Sequence, residues 1–203
     1  MEYTIQQLST DVLGRLGEQP VAELPADLPT VAEALERKLR AALPEVGARL
    51  ICEAPAEKLG GGGEYGGLSV LQIEARRLPC GLYGFDVEVP ADFVRLVVMR
   101  MESWDRDVHE VAMPGEEQHL RQYSPEAGIA GCGSRPRVYL NFGRSGMVLT
   151  AIGSDDDADR LAVLGLWRMP IADGAGKFQF PAPLYPALVS AMLLSRTRCA
   201  SKA

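Results

Sequence analysis

Side chains that could do chemistry are few in this chain and widely spaced. The two histidines, His109 and His119, fall in different predicted elements, and neither has an acidic or cysteine neighbour at metal-ligand spacing. Each is read as a surface or packing residue. The four cysteines, Cys52, Cys80, Cys132 and Cys199, form no CxxC pair and are too sparse to staple 203 residues. Dispersed cysteines usually serve as small buried hydrophobes, which points to a reduced cytosolic setting. A Cys132–His119 pair needs folding to bring the two together, and the glycines around Cys132 indicate a loop. Ser154 to Asp159 opens like a calcium loop, but the sixth and twelfth positions counted from Asp155 hold Arg160 and Leu166 instead of glycine and glutamate. A solvated acidic turn between strands is the better reading. Glu116, Glu117 and Asp107 are likewise read as a charged face and not as an acid pair. In LGGGGEYGG, Gly60 to Gly63 are followed by Glu64 and Tyr65 where a phosphate cradle would need Lys and Ser or Thr, so the run is read as a joint. No catalytic, cofactor-binding or metal-ligating residue is assigned, and no enzyme is expected.

The elements that must position these residues are easier to see. From Tyr83 to Val111 the chain alternates apolar and polar residues, halts at Pro90 and restarts at Phe93. Tyr83, Phe85, Val87 and Val89 would line one face of a strand, with Gly84, Asp86 and Glu88 on the other. Pro90 has no N–H to give a ladder and ends it. Further strands are expected over 68–76, 93–101, 108–113, 138–142, 147–152 and 161–169, with a turn over 141–146 making a hairpin of its two flanking strands. Before them, Ile5, Leu8, Val12 and Leu16 mark a helix ended by Gly17. Thr30 and Glu33 form a capping box for a second helix, which Pro44 is expected to break or kink into two pieces. A short helix over 116–122 and a C-terminal one over 186–198 complete the set. Fold class is α+β: a helical N-terminal layer, a central antiparallel sheet or sandwich-like region, and a C-terminal helix. The expected organisation is a helical region over 1–58, a Gly-rich flexible loop over 59–67, a β-rich core over 68–180 and a helix over 181–203, within one compact domain.

Composition sets outer limits. The chain is 47% hydrophobic and 24% charged, enough apolar residue for a core and too ordered a mix for wholesale disorder. A net charge of −6 argues against a broad nucleic-acid footprint. The start MEYTIQQLSTDVL lacks a basic and apolar leader, and no window nears the roughly 20 apolar residues of a membrane span, so a soluble protein is expected. Trp104 and Trp167 suit core or rim packing, or anchors of a protein contact. Arg95, Arg100, Arg106, Arg135 and Arg137 scatter cations over the β region, to pair with a neighbour's acids or to solvate the surface.

A helical N-terminus, a proline-rich loop and VEVPADFVRLVVMRMESWDRDVHEV, followed by PGEEQHLRQYSP and SRPRVYL, resemble tailed-phage or prophage neck proteins. These are head–tail connector, portal adaptor or ring subunits. The positions that carry the resemblance are Val89, Pro90, Asp92, Phe93, Trp104, Tyr123, Arg135 and Pro136, within a span from Tyr3 to Leu140. The run Gly60–Gly63 departs from the pattern. The resemblance implies a virion structural protein without catalysis or cofactor, assembled in the bacterial host cytoplasm as a homo-oligomeric ring. It would dock on the portal and on other neck or tail subunits, with DNA only in transit through a lumen and no membrane partner. Two other readings stand beside it: a non-viral interaction or scaffold protein of similar build, and an enzyme using Cys132 or His109.

Overall fold

Thr4 shows how the chain begins to fold: its extended backbone ends a strand while its hydroxyl accepts the Gln7 N–H at 3.1 Å and caps the helix that follows. The computed structural model describes residues 1–17, 31–62, 73–143 and 146–200. Its elements are β1 (Glu2–Thr4), α1 (Ile5–Arg15), α2 (Val31–Glu53), β2 (Ile73–Arg77), β3 (Tyr83–Glu88), β4 (Phe93–Met101), α3 (Glu117–Leu120), α4 (Ala127–Ala130), β5 (Arg137–Phe142), β6 (Met147–Ser154), β7 (Leu161–Arg168), β8 (Lys177–Gln179) and α5 (Tyr185–Ala200). The fold is mixed α+β, with helices at both ends and antiparallel sheet between. Thr30 of the capping box, the prolines at 20, 25 and 29, residues 63–67 of the glycine-rich stretch and the expected strand start at 68–72 lie outside the described residues.

The chain forms two compact units, leaving the first at Gly63 and returning to it at Arg168. The first unit holds Met1–Gly63 and Arg168–Ala203. In it α1, α2 and α5 pack on one another through Ile5, Leu8 and Val12, through Leu35, Leu39, Leu43 and Ile51, and through Leu188, Val189 and Met192. Pro44 does not divide α2. It forfeits one backbone hydrogen bond, while Leu39 and Leu43 before it and Val46 and Ile51 after it are held in the same buried stripe. β1 pairs antiparallel with β8, a contact between two three-residue segments that no local pattern announces. Tyr3 stacks on Tyr185 at 4.0 Å, and the Tyr185 hydroxyl donates to Asp11 at 2.7 Å.

The second unit, Glu64–Trp167, is built on an antiparallel sheet of order β2-β3-β6-β5. The strand faces follow the alternation. Phe85, Val87, Leu149, Ala151, Val138 and Leu140 turn to one side, where they share a core with Leu96, Met99, Met101 and Trp104 and with Leu161 and Leu166 of β7, the strand paired to β4. Gly153 interrupts the pairing: Tyr83 lies opposite Ser154 and Gly84 opposite Ile152, so Gly153 is the extra residue of a bulge. β5 and β6 form the expected hairpin, with Phe142 opposite Met147.

Two expectations are corrected in this unit. Residues 108–113 form no strand: Val108 exchanges hydrogen bonds with Met99 on β4, and four residues later Ala112 bridges in parallel to Tyr139 on β5. A segment that crosses from one strand edge to another cannot keep a ladder with either. The helix expected over 116–122 is a single turn, α3, tightened into a 3-10 turn over Arg121–Tyr123, and a second turn, α4, follows Pro125. Together they form an irregular layer over the outer face of the sheet.

Candidate functional site

The crossing of residues 108–112 from β4 to β5 opens a groove. Its walls are the first half of β4, the segment 106–113 and the start of β5 at 135–139, and it encloses about 700 Å³. Apolar side chains such as Phe93, Leu96 and Val138 line it beside Arg95, Arg106, Arg135 and Arg137. Arg106 and Arg135 are exposed and form no ion pair among the described residues. The acids that also line it are partly engaged: Asp107 pairs with Arg100 at 3.5 Å, and the Glu116 carboxylate accepts the Met113 N–H at 3.0 Å. Arg137 Nε is buried without a hydrogen-bond partner among the described residues. His109 stands on the groove with Nδ1 2.6 Å from the Val97 carbonyl, which can only accept, so that nitrogen carries the hydrogen.

Arg135 is presented by a tight turn in which the N–H of Cys132 bonds the Arg135 carbonyl and the N–H of Arg135 returns to the Cys132 carbonyl, at 3.2 and 2.8 Å. Cys132 Sγ lies 3.4 Å from Ser134 Oγ. That hydrogen bond, with backbone N–H groups and the Arg135 charge, holds the thiol below its ordinary pKa against the opposing effect of desolvation.

On the outer face of the sheet a chain of polar groups runs across all four strands into the covering layer. Arg76 Nε contacts Asp86 at 3.1 Å, and the buried Thr150 hydroxyl donates to the other Asp86 oxygen at 2.5 Å. Asn141 donates to Thr150 at 2.7 Å and to Gln122 at 2.9 Å. His119 Nε2 lies 2.8 Å from the Leu140 carbonyl and 3.1 Å from Asn141 Oδ1, two acceptors that require the hydrogen on Nε2. Tyr139, fully buried, donates to the Ala130 carbonyl at 2.7 Å and ties down α4. Burial is the main reason its hydroxyl pKa is raised.

In the covering layer Leu120 is 67% exposed and Tyr123 59%, with Ile129 also open; Phe142 at the end of β5 is 72% exposed, and Met113 before the layer is open too. His119, the neighbour of Leu120, bonds the Leu140 carbonyl, so the turn that bears Leu120 lies against β5, the strand that ends in Phe142.

The candidates from the sequence are dispersed by this geometry. Cys132 and His119 make separate contacts, with Ser134 and with the Leu140–Asn141–Gln122 group. Asp156 and Asp159 serve the β6–β7 turn, Asp156 accepting the Ala158 N–H at 2.9 Å and Asp159 accepting the Ser103 hydroxyl at 2.5 Å. Glu117 pairs with Arg121 one turn on, at 3.7 Å, apart from Asp107 and Glu116. Among the described residues no group of three or more His, Cys, Asp or Glu is placed to hold a metal, and no helix is long and apolar enough to cross a membrane. The groove and the polar chain were missed from the sequence, since the residues of each come from segments that only folding brings together. Of the positions in the family resemblance, Val89, Phe93 and Trp104 pack into the core, while Tyr123 and Arg135 are exposed. No protein-family model, curated protein or solved structure matches the chain.

Proposed function

We propose that this chain is a structural subunit of a tailed-phage neck, forming an oligomeric ring between portal and tail. The observation that carries the reading is the set of exposed apolar side chains Leu120 and Tyr123 on the layer over the sheet and Phe142 at the end of β5. Large exposed apolar side chains on adjoining segments mark a surface completed by another protein, and Tyr123 is also a position of the family resemblance. Net charge −6 suits a lumen through which DNA passes without adhering. In this reading a neighbouring copy or the portal covers the apolar group, and the protein resides in the virion after assembly in the host cytoplasm.

The test is light scattering and native mass spectrometry of the purified chain across concentration, alone and with portal protein. Wild type is expected to give ring-sized species or a portal complex. L120S/Y123S/F142S, all changes at exposed positions, is expected to remain monomeric and folded by circular dichroism. Wild type that stays monomeric at high concentration, and also with portal present, would overturn the reading.

A further inference from the structure

The groove of the second unit has a construction of its own, separate from the exposed apolar side chains Leu120, Tyr123 and Phe142. β5 is the edge strand of its sheet, and its outward backbone groups are those of its even-numbered residues. The Val138 carbonyl accepts from Ala112, the Leu140 N–H donates to Ala112, and the Leu140 carbonyl receives His119. The crossing segment then bends toward Met99, so on the same edge the upstream groups, the Val138 N–H and the Pro136 carbonyl, face the groove. An edge that presents backbone groups beside an apolar trough is the geometry by which sheets accept an added strand.

Charge specifies what kind of strand. Among the described residues the groove holds four arginines against three acids, on a chain whose net charge is −6. Asp107 is already paired outward with Arg100, and Glu116 is turned to its own turn's N–H. Arg106 and Arg135 stand exposed on the two sides. An added strand projects alternate side chains to one face, about 7 Å apart, so apolar residues can meet the trough while acidic ones reach guanidinium groups. A nucleic acid would bring phosphates to the cations but nothing to the apolar trough, and the overall negative charge opposes it.

We propose that this groove binds an extended acidic peptide segment of a partner protein, added along the outer edge of β5 at Pro136–Val138 with its carboxylates on Arg106 and Arg135. The probe is an acetylated, amidated and fluorescein-labelled Val-Glu-Val-Glu-Val peptide, with Gln and Lys in place of Glu as controls and a labelled single-stranded oligonucleotide as the competing class. Fluorescence anisotropy is expected to show saturable binding of the Glu peptide to the full chain. R106A/R135A, changes at two exposed positions, should weaken it at least ten-fold, equivalent to about 1.4 kcal/mol. The Gln and Lys peptides should bind at least as weakly as that variant binds the Glu peptide, and amide shifts on titration should centre on Val138. The proposal is overturned by no binding up to about 1 mM, by equal binding of the Glu and Gln peptides, or by an undiminished affinity in R106A/R135A. It is also overturned if the oligonucleotide binds more tightly than the Glu peptide and is lost in the same variant. L120S/Y123S/F142S should bind the peptide as wild type does, which separates this result from the assembly test.

Discussion

Replacing Gly153 with alanine tests how the bulge and the core are built together. A Cβ there would stand 2.7 Å from Trp104 Nε1 and 3.2 Å from both the Cys132 carbonyl oxygen and Pro136 Cβ. Ordinary contact begins near 3.4 Å, so the indole must retreat by about 0.7 Å. Trp104 is 5% exposed and packed in the main core of its unit, which leaves it little room to move. Overpacking of this kind costs about 1–3 kcal/mol, and the backbone at φ +156° adds about 1 kcal/mol for a residue with a side chain. G153A should therefore destabilise the second unit by about 2–4 kcal/mol. Both tryptophans of the chain, Trp104 and Trp167, lie in that unit, so urea unfolding followed by tryptophan fluorescence reports on it directly. The cause is isolated by a double-mutant cycle with W104F, which removes the indole nitrogen that meets the new methyl. G153A should cost at least about 1 kcal/mol less in the W104F background. A cost under about 0.5 kcal/mol for G153A, or the same cost in both backgrounds, would refute the steric argument.

Three further outcomes are expected. T150V should lower stability by about 2–3 kcal/mol in the same fluorescence assay, because it leaves Asp86 and Asn141 short of a partner, whereas T150S keeps the hydroxyl and should cost less than half as much; equal costs would show that the polar chain contributes nothing. Burial first, then the hydrogen bond and charge of Asp11, raise the Tyr185 pKa above its unfolded value near 10. The stabilisation is therefore complete below pH ~10 and is lost as pH climbs from there toward the folded value; urea midpoints by far-ultraviolet circular dichroism at pH 9, 10 and 11 should fall more steeply for wild type than for Y185F, and parallel slopes would contradict the assignment. S134A should slow iodoacetamide labelling of Cys132 about two- to five-fold at neutral pH, measured peptide by peptide with mass spectrometry, since the lowered thiol pKa depends first on the Ser134 hydroxyl; an unchanged rate would place the cause elsewhere.

Local pattern and tertiary placement can be separated residue by residue. The split of Phe85 and Val87 from Asp86 and Glu88 was legible because a strand's side-chain period is a property of the backbone alone. The helical stripes of α1 and α2 were legible for the same reason, with a period of 3.6 in place of 2. Pro44 misled because its cost is local, about 3 kcal/mol, while the burial of four large side chains around it on one face is a sum over the unit. Residues 108–113 carry strand-like composition, yet their pairing depends on two edges, at Met99 and Tyr139, that are distant in sequence. β1 and β8 are too short to announce themselves and exist because the first unit brings their ends together.

The sequence by itself determined the α+β class, the faces of the central strands, the helical stripes and the absence of a local motif around either histidine, because each depends on neighbours within one or two turns. Only the tertiary structure decided that Gly153 is a bulge held against Trp104, that Asp86, Thr150, Asn141 and His119 join in one polar chain, and that four arginines share an apolar groove. Those groupings depend on strand register and on where a crossing segment leaves one edge for another. Register is set by the burial of a whole sheet face, and no run of adjacent residues contains that information.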